Sequence, residues 1–275
     1  MVTGLEGGLG ASSLAALCAA GRARARCAET GAVPAAVVVD LDAGGAGLDV
    51  LLGIEHEPGL RWPDLHDAPS DLDGTHLLRS LPTWRGAGVL AMDRRRSGGV
   101  PSALVATVLT ALAAEAEVVV DLPRGCWGEA LGEAVRSPAG ATSVWLAAPS
   151  IVSLGAGQRA AVASGADGLL VRAVRGAALG PQEVAAHLEL PLWGVLREER
   201  VVRAATEWGR GPGKPLRGAA EESRVRRARS GAASAPSLVA AVVNAAHDEL
   251  RRPVLRSVAA AGGRRERAQA RVLAR

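Results

Sequence analysis

The residue types best suited to chemistry stand near the start of the chain, in the glycine-rich stretch of residues 4–13. Gly7, Gly8 and Gly10 place three glycines within four positions, and an alanine-rich run with strong helix propensity follows. Glycine lets a backbone turn tightly and approach a ligand closely. A glycine loop that leads into a helix presents unpaired N–H groups and a partial positive charge, which is an arrangement suited to phosphate.

The same stretch also fits a simpler interpretation. Ser12 and Ser13 are both good helix-capping residues, so the loop taken alone equally predicts a glycine-rich turn that begins a helix. Phosphate chemistry would need further polar groups at the same edge of the fold, and the chain offers candidates for them.

Carboxylates follow two apolar runs further along the chain. Residues 35–39 are apolar and lead into Asp40 and Asp42, and a second run at residues 118–120 leads into Asp121. Such runs are typical of buried parallel strands, whose carboxyl ends bind ligands in open α/β sheets. The alternative for each aspartate is that it merely ends a strand and begins a turn, and a proline two residues after Asp121 fits that alternative there.

The glycine loop, the Asp-x-Asp pair followed by glycines, and the Asp-x-Pro segment, in this order, resemble the MinD/ParA class of deviant Walker-A P-loop ATPases. Within that class, the Gly-Gly-x-Gly-Ala-Ser loop is similar to the CpaE/TadZ-like branch. The run Gly-Leu-Asp-Val-Leu-Leu-Gly and the segment from Pro58 to Leu65 are similar to the septum-site-determining proteins (Ssd), a group encoded beside secretion and Tad-type pilus genes. The resemblance extends from about residue 2 to about residue 210.

This resemblance implies an ATP site with Mg²⁺. Asp42 would position the attacking water and is the candidate catalytic residue, with Asp40 beside it near the metal. Ser12 would ligate Mg²⁺ through its hydroxyl, and Asp121 would hold the metal through water, as a Walker-B aspartate does. The loop residues implied in phosphate binding are Gly7, Gly8, Gly10, Ala11, Ser12 and Ser13.

The chain departs from that family at two charged positions. The lysine of the phosphate loop corresponds to Ala11, and the signature lysine that reaches across an ATP-sandwich dimer corresponds to Glu6. Because phosphoryl transfer depends mainly on stabilising negative charge, we expect weakened ATP binding and weak or no ATP hydrolysis. Arg124 and the arginines at 94–96 are the candidates to replace the missing charge, and the alternative is that all four are surface charges.

Apolar runs that alternate with helical patterns predict parallel βαβ units. We therefore expect a three-layer α/β/α fold with a doubly wound, mostly parallel sheet, of the MinD-like P-loop type, over residues 1–210. Three residues precede the loop, so either the first strand is short or this chain is a truncated form of a longer protein. The extra N-terminal domain that the CpaE-like family often carries fits the second alternative. Residues 76–81 are predicted to form a strand.

Three further segments are expected beyond that domain. Residues 211–233 begin with a dense run of glycine and proline and are then charged, which predicts a linker. Residues 234–250 are predicted to contain a last helix that packs back on the domain, and residues 251–275 to form a flexible tail rich in arginine. Such a tail favours weak contact with DNA or an anionic membrane, or else is simply solvated.

The amino-acid composition excludes several classes of protein. The 275 residues are 48% hydrophobic, which is enough for a sizeable core, and include six Trp but no Phe or Tyr, with a net charge of +4. The three cysteines lack the spacing of a metal site or a disulfide framework, and no hydrolase motif is present. The sequence shows no signal peptide and no apolar run of about 18 residues, which predicts a cytoplasmic protein. The resemblance adds a possible peripheral location at a membrane, pole or septum.

These features favour a CpaE/MinD-like regulator of septum-site placement, or of the localisation of Tad pilus or secretion machinery, with a degenerate nucleotide-binding loop. Its partners would be proteins of the division, pilus or secretion machinery. One alternative is an active ATPase of the same fold that cycles through an ATP-dependent homodimer, and another is a ParA-like, non-specific DNA-binding module. Trp62, a large apolar residue in a polar segment, is expected to be either a core anchor or a partner contact.

Overall fold

The computed structural model describes residues 1–30, 34–96, 99–126, 129–136, 141–163, 165–196 and 211–212. Its strands are β1 Val2–Gly4, β2 Ala36–Asp40, β3 Thr83–Trp84, β4 Ala87–Leu90, β5 Glu117–Asp121, β6 Val144–Ala147, β7 Gly168–Arg172 and β8 Leu192–Leu196. Its helices are α1 Ala11–Thr30, α2 Leu48–Leu52, α3 Gly74–Ser80, α4 Ser102–Glu115, α5 Ala130–Arg136, α6 Ile151–Ala163 and α7 Pro181–His187, with a 3₁₀ turn at Trp62–Leu65.

The strands form one eight-stranded sheet in the order β3-β4-β2-β5-β1-β6-β7-β8. Every neighbouring pair is parallel except β3 with β4, which are joined as an antiparallel hairpin. The chain moves from β1 toward β2 in one direction and from β5 toward β6 in the other, so the order reverses beside β1. Ligands bind at such a switch point in open α/β sheets, outside the carboxyl ends of the strands.

Both faces of the sheet carry a hydrophobic core. In β2, which is fully buried, Val37 and Val39 belong to one cluster and Ala36 and Val38 to the other, because successive side chains of a strand point to opposite faces. Residues of α1 and α2 pack in the second cluster, and residues of α3 to α7 pack in the first. The expected three-layer α/β/α fold with a mostly parallel sheet is therefore confirmed.

Helix α1 contacts the sheet mainly through alanine side chains, together with Leu14. Small side chains let the helix backbone lie close to the strands, and they fill the layer that aromatic residues would occupy in other proteins. The buried alanines of this face are Ala15, Ala16, Ala19, Ala20 and Ala23. This close packing fixes the start of α1 beside the ends of β1 and β5.

The strand predicted over residues 76–81 is wrong, because this segment lies in α3 and its end. Asp73 caps the helix by accepting a hydrogen bond of 3.1 Å from the backbone N–H of His76. Leu77 and Leu78 are both buried, which is one face of a short helix rather than one face of a strand. Two adjacent leucines fit both patterns over so short a run, and the aspartate cap was the stronger signal.

The described residues include only a small part of the segments predicted after residue 210. Of the predicted linker at 211–233, the structure describes Gly211 and Pro212, which are buried. A Cβ on Gly211 would lie 3.0 Å from the indole nitrogen of Trp84. The helix predicted within 234–250 and the tail predicted at 251–275 lie outside the described residues. Within the described part, no helix combines the length and the apolar character needed to cross a bilayer.

Gly74 gives a direct test of how α3 packs. A Cβ at this position would lie 2.1 Å from the carbonyl oxygen of Ala111 in α4. We expect Gly74→Ala to push the two helices apart and to lower the free energy of unfolding by about 1–3 kcal/mol, measured by chemical denaturation. Gly21→Ala within α1 is the control: nothing lies within 4 Å of its Cβ, and alanine should stabilise the helix by about 1 kcal/mol. A Gly74→Ala protein as stable as the wild type would contradict this packing.

Candidate functional site

The glycine loop connects β1 to α1 at the carboxyl edge of the sheet. Gly8 and Gly10 have φ angles of 76° and 88°, in the left-handed region that favours glycine. The backbone N–H of Leu14 donates to the carbonyl of Gly10 at 2.9 Å, so the helix begins directly after the loop. Ala11, Ser12 and Ser13 form its first turn and are half-buried, and Gly7 and Gly8 are exposed. The loop therefore leads into a long helix whose first N–H groups lack helical partners, as phosphate binding requires.

Ser12 and Asp121 are joined at the centre of the site. Asp121 ends β5 opposite Val2 of β1, and its carboxylate is hydrogen-bonded to the Ser12 hydroxyl. Asp121 is buried, with only 4% of its surface exposed. Burial raises the pKa of Asp121 to about 7, with further upward contributions from the charges of Asp40 and Asp42, against the lowering effect of Ser12. Ser12 and Asp121, which the resemblance assigned separately to a magnesium site, therefore lie in contact; that they bind Mg²⁺ stays a prediction.

Asp40 is an anchor for the loop that follows it. One carboxylate oxygen accepts from the backbone N–H of Asp42 and the other from that of Leu48, both at 2.9 Å, and the N–H of Met92 also donates to this carboxylate. The residue is 2% exposed. Burial raises the pKa of Asp40 to about 6, although the three N–H donors work in the opposite direction. Its carboxylate thus holds the ends of β2 and β4 and the start of α2 together.

Asp42 is the most accessible of the three carboxylates. It is half-buried, whereas Asp40 and Asp121 are buried, and it begins a turn of four exposed residues at 43–46. Its carboxylate accepts a hydrogen bond of 3.1 Å from the backbone N–H of Gly44. Asp42 therefore has a solvent-accessible carboxylate at this edge of the sheet, and its assignment as the catalytic residue stays a prediction.

The polar side chains at this edge of the sheet offer oxygen atoms, which are the ligands that Mg²⁺ prefers. The Ser12 hydroxyl and the Asp121 carboxylate are hard oxygen ligands, and Mg²⁺ characteristically keeps several waters and takes one or two protein ligands with substrate phosphates. Across the described residues, no group of three or more His, Cys, Asp or Glu side chains could hold a metal alone. Ser12 and Asp121 would therefore hold Mg²⁺ together with phosphate oxygens, and bound Mg²⁺ would supply charge neutralisation there.

Glu6, which the resemblance aligned with the signature lysine, is hydrogen-bonded to the loop after β6. Its carboxylate accepts a hydrogen bond of 2.7 Å from the hydroxyl of Ser150, and that hydroxyl in turn accepts from the backbone N–H of Ser153 at 3.0 Å. The contact joins residues 144 positions apart and connects the glycine loop to the start of α6. Sequence reasoning treated Glu6 only as an unfavourable charge and missed this positioning role.

Two arginines flank the glycine loop. Arg172, at the end of β7, donates from Nη1 to the carbonyl of Leu9 at 2.7 Å. The guanidinium of Arg124, which follows β5, lies 3.6 Å from the position that a Cβ on Gly7 would take. Arg96, another sequence candidate, instead pairs with Asp64 and Asp93 at 2.7 Å each. The contact of Arg172 was not predicted, and a cation directly after an apolar strand was the available signal.

Two residues of the segment after α2, Arg61 and Trp62, are buried next to the candidate site. The indole N–H of Trp62 donates to the backbone carbonyl of Asp40 at 2.6 Å, and Trp62 is 2% exposed within the core of one sheet face. Arg61 is buried as well, and its Nε lies 3.3 Å from the carboxylate of Asp49. Of the two interpretations of Trp62, this position supports the core anchor, because a buried indole offers no surface to a partner.

Comparisons with known proteins agree with this architecture. No protein-family model matches the sequence. An uncharacterized protein of Mycobacterium tuberculosis, found in two strains, is 36% identical over 123 residues, which are 45% of this chain. The match spans about a third of that relative's length, 32%.

Two solved structures are similar over most of their length. A ParA family ATPase from Chlorobium tepidum has a TM-score of 0.63 at 11% identity, with 88% of this chain and 96% of that chain covered. The MinC:MinD cell division protein complex of Aquifex aeolicus has a TM-score of 0.60 at 16% identity, with 88% and 93% covered. This chain therefore has the α/β fold shared by the ParA and MinD P-loop ATPases.

Proposed function

We propose that this protein is a CpaE/MinD-like regulator of septum-site placement, or of the localisation of Tad pilus or secretion machinery. It acts by binding proteins of the division, pilus or secretion machinery, and ATP turnover at its glycine loop is weak or absent. The fold shared with ParA and MinD supports the class of protein, and the MinD of the comparison is itself in a cell division complex with MinC.

The observation that carries the proposal is the charge at the site. The phosphate loop and the three carboxylates are assembled at one edge, but Ala11 provides no cation at the start of α1. Glu6, at the second lysine position, brings a carboxylate and is bound to Ser150. Removing one group that stabilises developing charge slows a reaction by about 10²–10³-fold. A site short of two such cations fits a protein that keeps the architecture for binding and has little turnover.

The competing proposal is an active ATPase that cycles through an ATP-dependent homodimer. The observation in its favour is the pair of arginines beside the loop, Arg124 and Arg172, which bring positive charge to the region by another route. Both proposals keep Asp42 at the position where water would be activated. They differ in whether the cellular function needs that residue.

Asp42→Ala separates the two proposals. We expect purified wild-type protein to release phosphate from Mg²⁺-ATP no faster than the variant, because charge stabilisation at the loop is insufficient. In cells that lack the wild-type gene, the variant should restore septum placement or pilus assembly as well as the wild type does. Asp71→Ala, which removes an exposed carboxylate elsewhere, is the matched control.

The opposite result has a clear meaning. Robust phosphate release that Asp42→Ala abolishes, together with failure of the variant in cells, would overturn the proposal in favour of the working ATPase. Normal septa and normal pili in cells without the gene would remove the assigned process as well.

A further inference from the structure

The edge of the sheet beside β3 contains a slot that the chain fills with its own later residues. The slot is formed by Leu52, the last residue of α2, and by Trp84 of β3, and both are buried. Gly211 lies against both, because a Cβ on it would stand 3.0 Å from the carbonyl oxygen of Leu52 and 3.0 Å from the indole nitrogen of Trp84. Pro212, which follows, is also buried. We refer to this contact as the Trp84 slot.

The Trp84 slot suits a glycine–proline pair and holds it by shape. Gly211 has a φ of 72°, in the left-handed region that favours glycine, and the slot has no room for a side chain. Proline has no backbone N–H, so burying Pro212 adds no donor that needs a partner. Within the described part of the chain the indole N–H of Trp84 has no hydrogen-bond partner. Because water would satisfy that N–H, opening the slot recovers part of the cost of emptying it.

The position of the Trp84 slot in the sheet determines where the last part of the chain begins. The final strand, β8, ends at Leu196 on one edge of the sheet, whereas β3 is the opposite edge. Gly211 and Pro212 lie at the β3 edge. Residues 213–275, which include the arginine-rich end of the sequence, therefore begin beside α2 rather than beside β8.

Helix α2 connects the Trp84 slot to the carboxylates of the candidate site. At its start, the backbone N–H of Leu48 donates to the buried carboxylate of Asp40 at 2.9 Å. At its end, Leu52 contacts Gly211. The exposed turn at 43–46 lies between Asp40 and the helix. Because α2 has only five residues and is held at both ends, a displacement of its start is carried to the slot.

We propose that the Trp84 slot is a releasable anchor that couples the candidate site to the C-terminal segment, residues 213–275. A ligand or partner that moves the turn at 43–46 moves α2 and releases Gly211 and Pro212 from the slot. Coupling between two sites is reciprocal, so a partner that binds the C-terminal segment and displaces Gly211 loosens α2. This inference rests on the proposed function, since it states how partner binding and the candidate site regulate each other.

Hydrogen exchange in the Gly211→Ala protein tests whether the anchor holds α2. The alanine must adopt a left-handed φ and its Cβ has no room in the slot, so the variant favours the released state. We expect the amides of residues 48–54 to exchange at least about tenfold faster than in the wild type, because local opening sets their rate. Gly176→Ala is the matched control: Gly176 has a φ of 76° and nothing within 4 Å of its Cβ, so it carries the same backbone strain away from the slot. Its exchange at residues 48–54 should stay within about twofold of the wild type.

Trypsin cleavage after Arg210 tests the coupling in the opposite direction. The bond between Arg210 and Gly211 has the residues of the slot on its carboxyl side, and trypsin needs that segment free and extended. Asp40→Asn leaves one acceptor oxygen where two carboxylate oxygens now accept backbone N–H groups, which loosens the start of α2. We expect cleavage after Arg210 to be at least about threefold faster than in the wild type, because proteolysis follows the population of the open state. Asp71→Asn, at an exposed carboxylate elsewhere, is the control and should be cleaved at the wild-type rate.

Measurements on a distant strand separate local release from global unfolding. Strand β6, Val144–Ala147, lies on the other side of β1 from β2 and β4. Its amides should exchange in Gly211→Ala as they do in the wild type, because the anchor does not reach them. Thermal melting of each variant is recorded in parallel. If Asp40→Asn lacks a melting transition, the exchange of Gly211→Ala decides the proposal alone.

Three results would overturn the coupling: wild-type exchange at residues 48–54 in Gly211→Ala, exchange in that variant that rises equally in β6, or equal cleavage of Asp40→Asn and Asp71→Asn after Arg210. Any of these results with normal complementation by Asp42→Ala would leave the proposed function standing. Conversely, faster exchange in α2 and faster cleavage after Arg210, together with failed complementation by Asp42→Ala, would overturn the proposed function alone.

Discussion

Trp62→Ala should be among the most destabilising single substitutions in this protein. The side chain is 2% exposed within the core, so truncation leaves a large cavity and an unpaired carbonyl on Asp40. Losses of a buried aromatic side chain lower the free energy of unfolding by about 3–5 kcal/mol. In a domain of this size we expect the melting temperature to fall by roughly 10 °C or more.

Two further variants separate the causes of that loss. Trp62→Phe keeps an aromatic ring in the core and removes the N–H that donates to Asp40, so its loss of about 1–3 kcal/mol would measure the hydrogen bond with a smaller packing change. Trp193→Ala removes an indole that is only half-buried in β8 and should be less destabilising. A Trp62→Ala protein that melts no lower than Trp193→Ala would disprove the core assignment.

The second large effect is expected at Asp121 and depends on pH. Burial raises the pKa of this carboxyl from 3.8 to about 7. Between those two pH values the folded protein binds more protons than the unfolded chain, so this group's contribution makes stability fall as pH rises through that window. Asp121→Asn cannot ionise and avoids the cost of a buried charge. We expect it to be more stable than the wild type at pH 8, and equally stable near pH 4.

The shift in the pKa of Asp121 sets the expected difference in the free energy of unfolding between Asp121→Asn and the wild type. Since a tenfold change in proton affinity corresponds to about 1.4 kcal/mol, the gain at pH 8 is up to about 4 kcal/mol. Urea denaturation of the two proteins from pH 4 to pH 8 measures it, with Asp71→Asn as the control for an exposed carboxylate. An Asp121→Asn protein less stable than the wild type at pH 8 would mean that the charged carboxylate is favourably held in the folded state.

The sequence was informative where local pattern determines structure. The apolar run before Asp40 is a buried strand that ends at that residue. The run before Asp121 is also a strand that ends at its aspartate, although Val118 and Val119 are half-buried. Because parallel strands end at one edge, the sequence alone predicts that these two carboxylates and the glycine loop lie together. The hydrogen bond between Ser12 and Asp121 agrees with that placement.

Contacts between distant parts of the chain could not be predicted in this way. Arg172 reaches a carbonyl 163 residues earlier, and Ser150 reaches a carboxylate 144 residues earlier. Hydrophobic periodicity indicates which face of an element is buried, but it does not indicate which polar side chain will meet which backbone atom. The burial of Arg61 with Asp49 is a similar case, since charged residues in a segment of high polarity favour a solvated loop.

The alanine face of α1 has a consequence for how this sequence can evolve. Most of the inner face of α1 is alanine, whose methyl groups cannot rearrange. A larger residue at Ala15, Ala19 or Ala23 would therefore raise the helix and carry Ser12 away from Asp121. Selection on the site is therefore expected to act on side-chain volume one to three turns away from it. Functional descendants of this chain should retain small residues on the inner face of α1 while its outer face diverges freely.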